Sequence, residues 1–123
     1  MSKDLENFFN RQFEEHNKVT VDCQKKLQSS FLNVTKICIS SLKKKRKILF
    51  FGNGGSASDA QHLATELTVR FSKNRKAIPA ISLATDTSAL TAIGNDFGFD
   101  FVFSRQIEAL GDRDDIAIGI TTS

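Results

Sequence analysis

Phe50 to Leu67 reads FFGNGGSASDAQHLATEL. It opens apolar, passes through three glycines and two serines, and then takes helical spacing, which predicts Ala60, Leu63, Ala64 and Leu67 facing inward. The run Ile48-Leu49-Phe50-Phe51 leading into it is continuously apolar, as in a strand buried on both faces. Outward from this unit the pattern repeats. Pro79 to Leu83 is a second predicted strand and Asp115 to Ile120 a third, also buried. Residues 86–93 and 101–110 have the spacing of short helices. Alternating strands and helices define an α/β domain with a parallel sheet.

The upstream segment is helical throughout. Residues 3–16 place Leu5, Phe8, Phe9 and Phe13 at helical spacing. Thr20 is positioned to cap a second, longer helix. Its stripe of Leu27, Phe31, Val34, Cys38 and Leu42 is widened by Leu32, Ile37 and Ile39. So broad an apolar surface exceeds what one contact needs. The expected organisation is therefore residues 1–46 as helices for packing and oligomerisation, and 47–123 as the α/β part.

Composition narrows the partners. The 123 residues suit one small domain, and 40% are apolar. The net charge of +3 is weak for a nucleic-acid binder. The one basic run, Lys43-Lys44-Lys45-Arg46-Lys47, suits a helix C-terminus. Cys23 and Cys38 form neither a disulfide framework nor a metal pair. No signal-peptide core and no membrane-length apolar run occurs. A cytoplasmic protein without nucleic-acid or membrane partners is the expectation.

The glycine stretch admits three readings. Gly52 to Ala57 matches the dinucleotide pattern G-x-G-x-x-[GA] after a strand. That fingerprint also wants an acidic residue roughly 20 positions on, where this chain has the basic Phe71-Ser72-Lys73-Asn74-Arg75-Lys76. A P-loop needs Gly-Lys-Ser/Thr, which is absent. A phosphate cradle needs less: backbone N–H groups at a helix start, with the hydroxyls of Ser56 and Ser58 beside them. A plain turn capped by Ser56 fits the same residues, with Asp59 as a weak capping-box partner.

The helix behind the turn adds chemistry. Asp59, His62 and Glu66 fall at i, i+3 and i+7, one stripe starting just after the glycine turn. From Asp59 to Val69 no Lys or Arg interrupts them. His62 and Glu66, four apart, can share one divalent metal, zinc fitting an imidazole nitrogen best, or simply form an exposed hydrogen bond along the helix. Two more ligands would have to come from elsewhere. Gly94-Asn95-Asp96-Phe97-Gly98 has the make-up of a tight turn, with polar side chains free to reach a ligand or simply forming a loop.

Taken together, GNGGSASDAQHLATEL, AIGNDFGFDFVFSRQIEALG and the terminal GITTS resemble the sugar isomerase (SIS) domain of the bacterial phosphoheptose isomerases. The similarity extends over most of the chain from Lys47 onward, and the upstream helices suit that family's lead-in. The resemblance implies a three-layer α/β/α sandwich with a parallel sheet, assembled as a homotetramer. It implies conversion of sedoheptulose 7-phosphate to D-glycero-D-manno-heptose 7-phosphate through an enediol, in lipopolysaccharide-core heptose synthesis, with one Zn²⁺ per subunit.

Carried over position by position, the family's substrate-binding turn falls on Asn53, Gly54 and Gly55 with Ser56 beside it. Asp59 belongs to the same substrate-facing stripe. The zinc ligands fall on His62 and Glu66, and an Asn-Asp substrate contact on Asn95 and Asp96. The Ser-Thr-Ser phosphate loop falls on Thr121, Thr122 and Ser123, where Thr121 departs from the pattern but keeps its hydroxyl. A further loop serine, and a Gln and a His on a later helix, find no counterpart. The chain also stops where an α/β sheet would add a covering helix, so the C-terminal part of the domain is expected to be missing and the metal shell incomplete.

Isomerisation needs a base beside the substrate, and Glu66 is the candidate. A cation on Glu66 weakens it as a base, so its two roles are in tension. The alternative is a non-catalytic SIS-fold binding module of the DnaA initiator-associating kind. Asp59 and Glu66 are both present here, which favours the enzyme. A SIS sensor of a transcription regulator would need a helix-turn-helix, which the N-terminal helices lack.

Overall fold

A computed structural model describes residues 2–122. The chain divides into two compact units, one ending at Ile37 and the other starting at Cys38. A single helix, α1 (Ser2–Lys43), supplies all the described residues of the first unit and continues into the sequence of the second. The sequence suggested two helices parted near Thr20. Instead the Thr20 hydroxyl donates to the His16 carbonyl at 2.8 Å, four residues back, and the helix runs through. Within this continuous helix the amides that follow Thr20 already donate to carbonyls one turn back, so Thr20 has no unpaired N–H to cap.

In the first unit no described side chain is buried. Phe9 and Phe13 pack ring against ring, with centroids 4.7 Å apart. The apolar stripe remains open to solvent, and Phe31 is 68% exposed. A 42-residue helix with that much bare apolar surface has no partner of its own in this unit.

The second unit is built on three parallel strands. β1 (Ile48–Gly52) lies between β2 (Ala80–Ser82) and β3 (Ile116–Ile120). Ile48 pairs with Ala80 on one side and with Ile116 on the other. Between the strands run α2 (Gly55–Thr68), α3 (Thr87–Asp96), a 3-10 turn at Phe99–Phe101, and α4 (Ser104–Leu110). Ile48 and Phe50 join Ala60 and Ala64 of α2 in the core. The end of α1 adds Cys38 and Leu42, and β3 adds Ile116, Ile118 and Ile120. Period-2 alternation sends Leu49 and Phe51 to the other face. There Phe51 meets Phe103, which leads into α4, at 5.1 Å. Helices on both faces of a parallel sheet make the expected three-layer α/β/α sandwich.

Several local expectations change. Leu63 is 42% exposed rather than inward. The small Ala60 and Ala64 bring α2 so close to the sheet that only a narrow strip of the helix is covered. β3 is not buried on both faces; Ala117 and Gly119 are exposed while its isoleucines turn to α2. β2 is shorter than Pro79–Leu83. The single helix expected over 101–110 is split, because Gly98 (φ 99°) first starts the 3-10 turn.

The basic run ends α1 at Lys43 and then does more than match the helix dipole. Lys47 Nζ lies 2.6 Å from Asp115 Oδ2 and 3.1 Å from Asp112 Oδ2, and Lys44 Nζ lies 3.1 Å from Asp114. The N–H groups of Lys47 and Asp112 also donate to the Asp115 carboxylate. Burial opposes ionisation of Asp115, but the Lys47 hydrogen bond and the two backbone donors outweigh it and hold the carboxyl at about 2. The same bond to Asp115 raises the Lys47 ammonium above its ordinary value. Lys45 (φ 60°) and Asp114 (φ 73°), the non-glycine left-handed residues among those described, sit in the two turns that this latch joins. The latch lies at the amino ends of β1 and β3, away from the strand ends that carry the site.

Candidate functional site

The site grows from the carboxyl end of β1. A Cβ on Gly52 would stand 2.8 Å from both the Ile120 carbonyl oxygen and the Ser56 Cβ. Only glycine allows β1, β3 and the start of α2 to come this close. Gly54 has φ 58° and is the N-cap of α2, with no side-chain cap. The Ser56 and Ala57 amides close the turn on Asn53 O and Gly54 O at 3.1 Å, and those of Gly54 and Gly55 enter no such bond. A Cβ at either glycine would meet nothing within 4 Å, so this side of the turn is open. Ser56 is buried inside the first turn of α2 rather than capping it, which removes the plain capped turn among the three readings.

A cleft of ≈ 400 Å³ opens between this turn and the end of β3. Its polar lining is Asn53, Ser56, Thr121 and Thr122, and Phe51 and Phe103 form an apolar wall. Residues 70 positions apart thus share one cavity because β1 and β3 are paired neighbours. Ser123 lies outside the described residues. Asp59 is exposed on α2 and does not line the cleft.

Further along α2, His62 Nε2 lies 3.4 Å from Glu66 Oε1. His62 is 71% exposed and Glu66 27%. Glu66 Oε2 is buried and accepts no hydrogen bond. An unpaired buried carboxylate oxygen is costly, and a cation or a ligand hydroxyl would relieve it. Two ligand atoms about 2.1 Å from one tetrahedral zinc stand about 3.4 Å apart, so the pair fits a shared ion. The described residues hold no cluster of three or more His, Cys, Asp and Glu. The pair is therefore part of a shell at most.

Asn95 and Asp96 do not form a turn. They are the last residues of α3, which Asp86 caps by accepting from the Ala89 amide at 2.9 Å. Asn95 Nδ2 donates to Asp96 Oδ1 at 2.8 Å, and neither residue lines the cleft. Both remain exposed.

Two features escaped the sequence. The first is the Phe51–Phe103 wall, which depends on a contact across 52 residues. The second is Arg75. α2 ends at C-cap Val69 without the left-handed glycine that usually satisfies its last carbonyls. Arg75 supplies the donors instead, Nη2 to Glu66 O at 2.6 Å and Nη1 to Leu67 O at 2.8 Å. The missing glycine was the available signal, since orphan carbonyls call for another donor.

A parallel α/β sheet that gathers its polar groups beyond the carboxyl ends of its strands is the layout of a ligand-binding doubly wound domain. The chain belongs to the SIS domain family, which it matches over residues 12–123. It is 53% identical over 117 residues to phosphoheptose isomerase 1 of Campylobacter jejuni, covering 95% of this chain and 62% of that one. It is 59% identical over 92 residues to the phosphoheptose isomerase of Aquifex aeolicus, covering 75% of this chain and 48% of the relative. The solved phosphoheptose isomerase of Neisseria gonorrhoeae superposes with a TM-score of 0.88 at 43% identity, over 97% of this chain and 61% of that one. That of Francisella tularensis gives 0.90 at 36% identity, over 95% and 61%. The chain thus spans about three fifths of the length of most of these relatives.

Proposed function

We propose that the protein is an aldose–ketose isomerase that converts sedoheptulose 7-phosphate to D-glycero-D-manno-heptose 7-phosphate. The observation that carries this is the joining of two features by one helix. α2 starts at a cleft lined by the polar side chains of Asn53, Ser56, Thr121 and Thr122, and its last turn carries a carboxylate whose inner oxygen has no hydrogen-bond partner. The similarity to phosphoheptose isomerases supplies the substrate.

In this reading the hydroxyls of Ser56, Thr121, Thr122 and Ser123 and the amides of Gly54 and Gly55 hold the phosphate, with Asn53 beside them. Asp59, Asn95 and Asp96 meet the sugar hydroxyls. Anchoring the phosphate confines the reacting carbons to one geometry. Glu66 accepts the proton from C1 of the ketose and returns it to C2 through the enediol, while a proton passes from O1 to O2. His62 and Glu66 would hold a zinc ion, which would polarise the carbonyl. Self-association is supported by the bare apolar stripe of α1, and a homotetramer is the assembly that the family resemblance implies. A cytoplasmic setting and a place in lipopolysaccharide-core synthesis follow from the substrate. No helix among the described residues is long and apolar enough to cross a membrane.

Glu66→Gln tests the assignment in the protein as the cell produces it. The carboxamide keeps the shape and loses the base, so turnover should fall by about 10²-fold or more. Full activity would sink the base assignment. A metal-loaded wild type that binds sugar phosphate without converting it would point to the binding module.

A further inference from the structure

We propose that Arg75 is a positioning residue for Glu66, acting through the backbone of α2 rather than through the carboxylate. The proposal rests on the role given to Glu66 above. Glu66 sits in the last turn of its helix, where carbonyls lack helical partners and the chain frays. Thr65 O is closed by the Val69 amide at 2.9 Å. Glu66 O depends on Arg75 Nη2 alone, at 2.6 Å. Leu67 O takes Arg75 Nη1 at 2.8 Å and the Ile78 amide at 3.0 Å. The guanidinium also holds its own loop, through Nη1 to Lys76 O at 3.0 Å.

A force opposes this order. The buried, unpartnered Glu66 Oε2 would gain hydrogen bonds from water if the turn loosened. The two-carbonyl grip of Arg75 resists that movement and keeps the carboxylate aimed. A planar fork reaches two carbonyls at once; a lysine ammonium is a point donor on a flexible stem. Lysine keeps the charge that suits a helix C-terminus and loses the fork, so it separates the two contributions.

The experiment compares Arg75→Lys and Arg75→Gln in the protein as the cell produces it. Both should lower kcat by about tenfold or more, the scale seen when outer partners of a site are lost. KM should stay within about threefold, because the phosphate is held at the other end of α2. Zinc affinity, read by competition with a chromophoric chelator, should weaken about tenfold in both variants. A fall in Tm with kcat and zinc affinity unchanged makes Arg75 a stabilising cap only and overturns the proposal. Complete rescue by Arg75→Lys assigns the effect to charge and also overturns it. A wild type that binds zinc without isomerising overturns the role of Glu66 in turnover alone, and the zinc titration still decides the positioning. A wild type that does neither overturns both.

Discussion

Gly52, Gly54 and Gly55 answer to three different constraints. At Gly52 a methyl would press on the backbone of Ile120 and on Ser56, two elements that cannot move apart without unpairing β1 from β3. Gly52→Ala should destabilise the fold by about 1–3 kcal/mol, the cost of overpacking, read as a lowered denaturation midpoint. Gly54 is bound by its φ of 58°. Gly55 has open space and a helical position, where alanine is favoured over glycine by roughly 0.8–1 kcal/mol. Gly55→Ala should therefore leave Tm equal or higher while weakening sugar-phosphate binding, measured by calorimetry. A destabilised Gly55→Ala protein would contradict the open geometry. In the sequence these glycines are equivalent, and only the contacts distinguish them.

At the scale of the element, the latch before β3 has a defined pH response. The Asp115 carboxyl lies at about 2 against an ordinary 3.8, and its side chain is 5% exposed. A depressed carboxyl stabilises the fold above its unfolded value and loses that contribution as pH falls toward its folded one. The difference corresponds to about 2 kcal/mol, present above pH 4 and lost on approaching pH 2. Urea denaturation of the wild type should show this loss between pH 5 and pH 2.5, and Asp115→Asn should remove most of the dependence in that window. An unchanged slope in the variant would place the acid sensitivity elsewhere. The basic run was legible as a helix end, but its acidic partners lie about 70 residues downstream and only the sheet brings them near. α1 carries the opposite lesson. Its period was correct throughout, and the apparent break at Thr20 vanished because a threonine can bond back along a helix it does not interrupt.

At the scale of the molecule, most of the exposed large apolar side chains among the described residues lie on α1. Phe31→Glu places a charge on its most open described aromatic. If α1 joins subunits, sedimentation should show a smaller assembly for the variant than for the wild type, with the circular dichroism of the second unit's α/β fold kept. Unchanged sedimentation would remove Phe31 from any subunit interface.

The sequence by itself determined the α/β class, the three strands, the glycine turn and the His62–Glu66 pair. These rest on local physics: side-chain periodicity, backbone freedom at glycine, and the four-residue spacing of a helix face. Tertiary structure decided what those residues meet. It set Thr121 and Thr122 beside Asn53 and Ser56, left Glu66 Oε2 buried without a partner, moved Asn95 and Asp96 from a turn to a helix end, and gave the last carbonyls of α2 to Arg75. Each of these depends on strand pairing or on a contact between distant segments, and no local pattern encodes which distant groups the sheet will bring together.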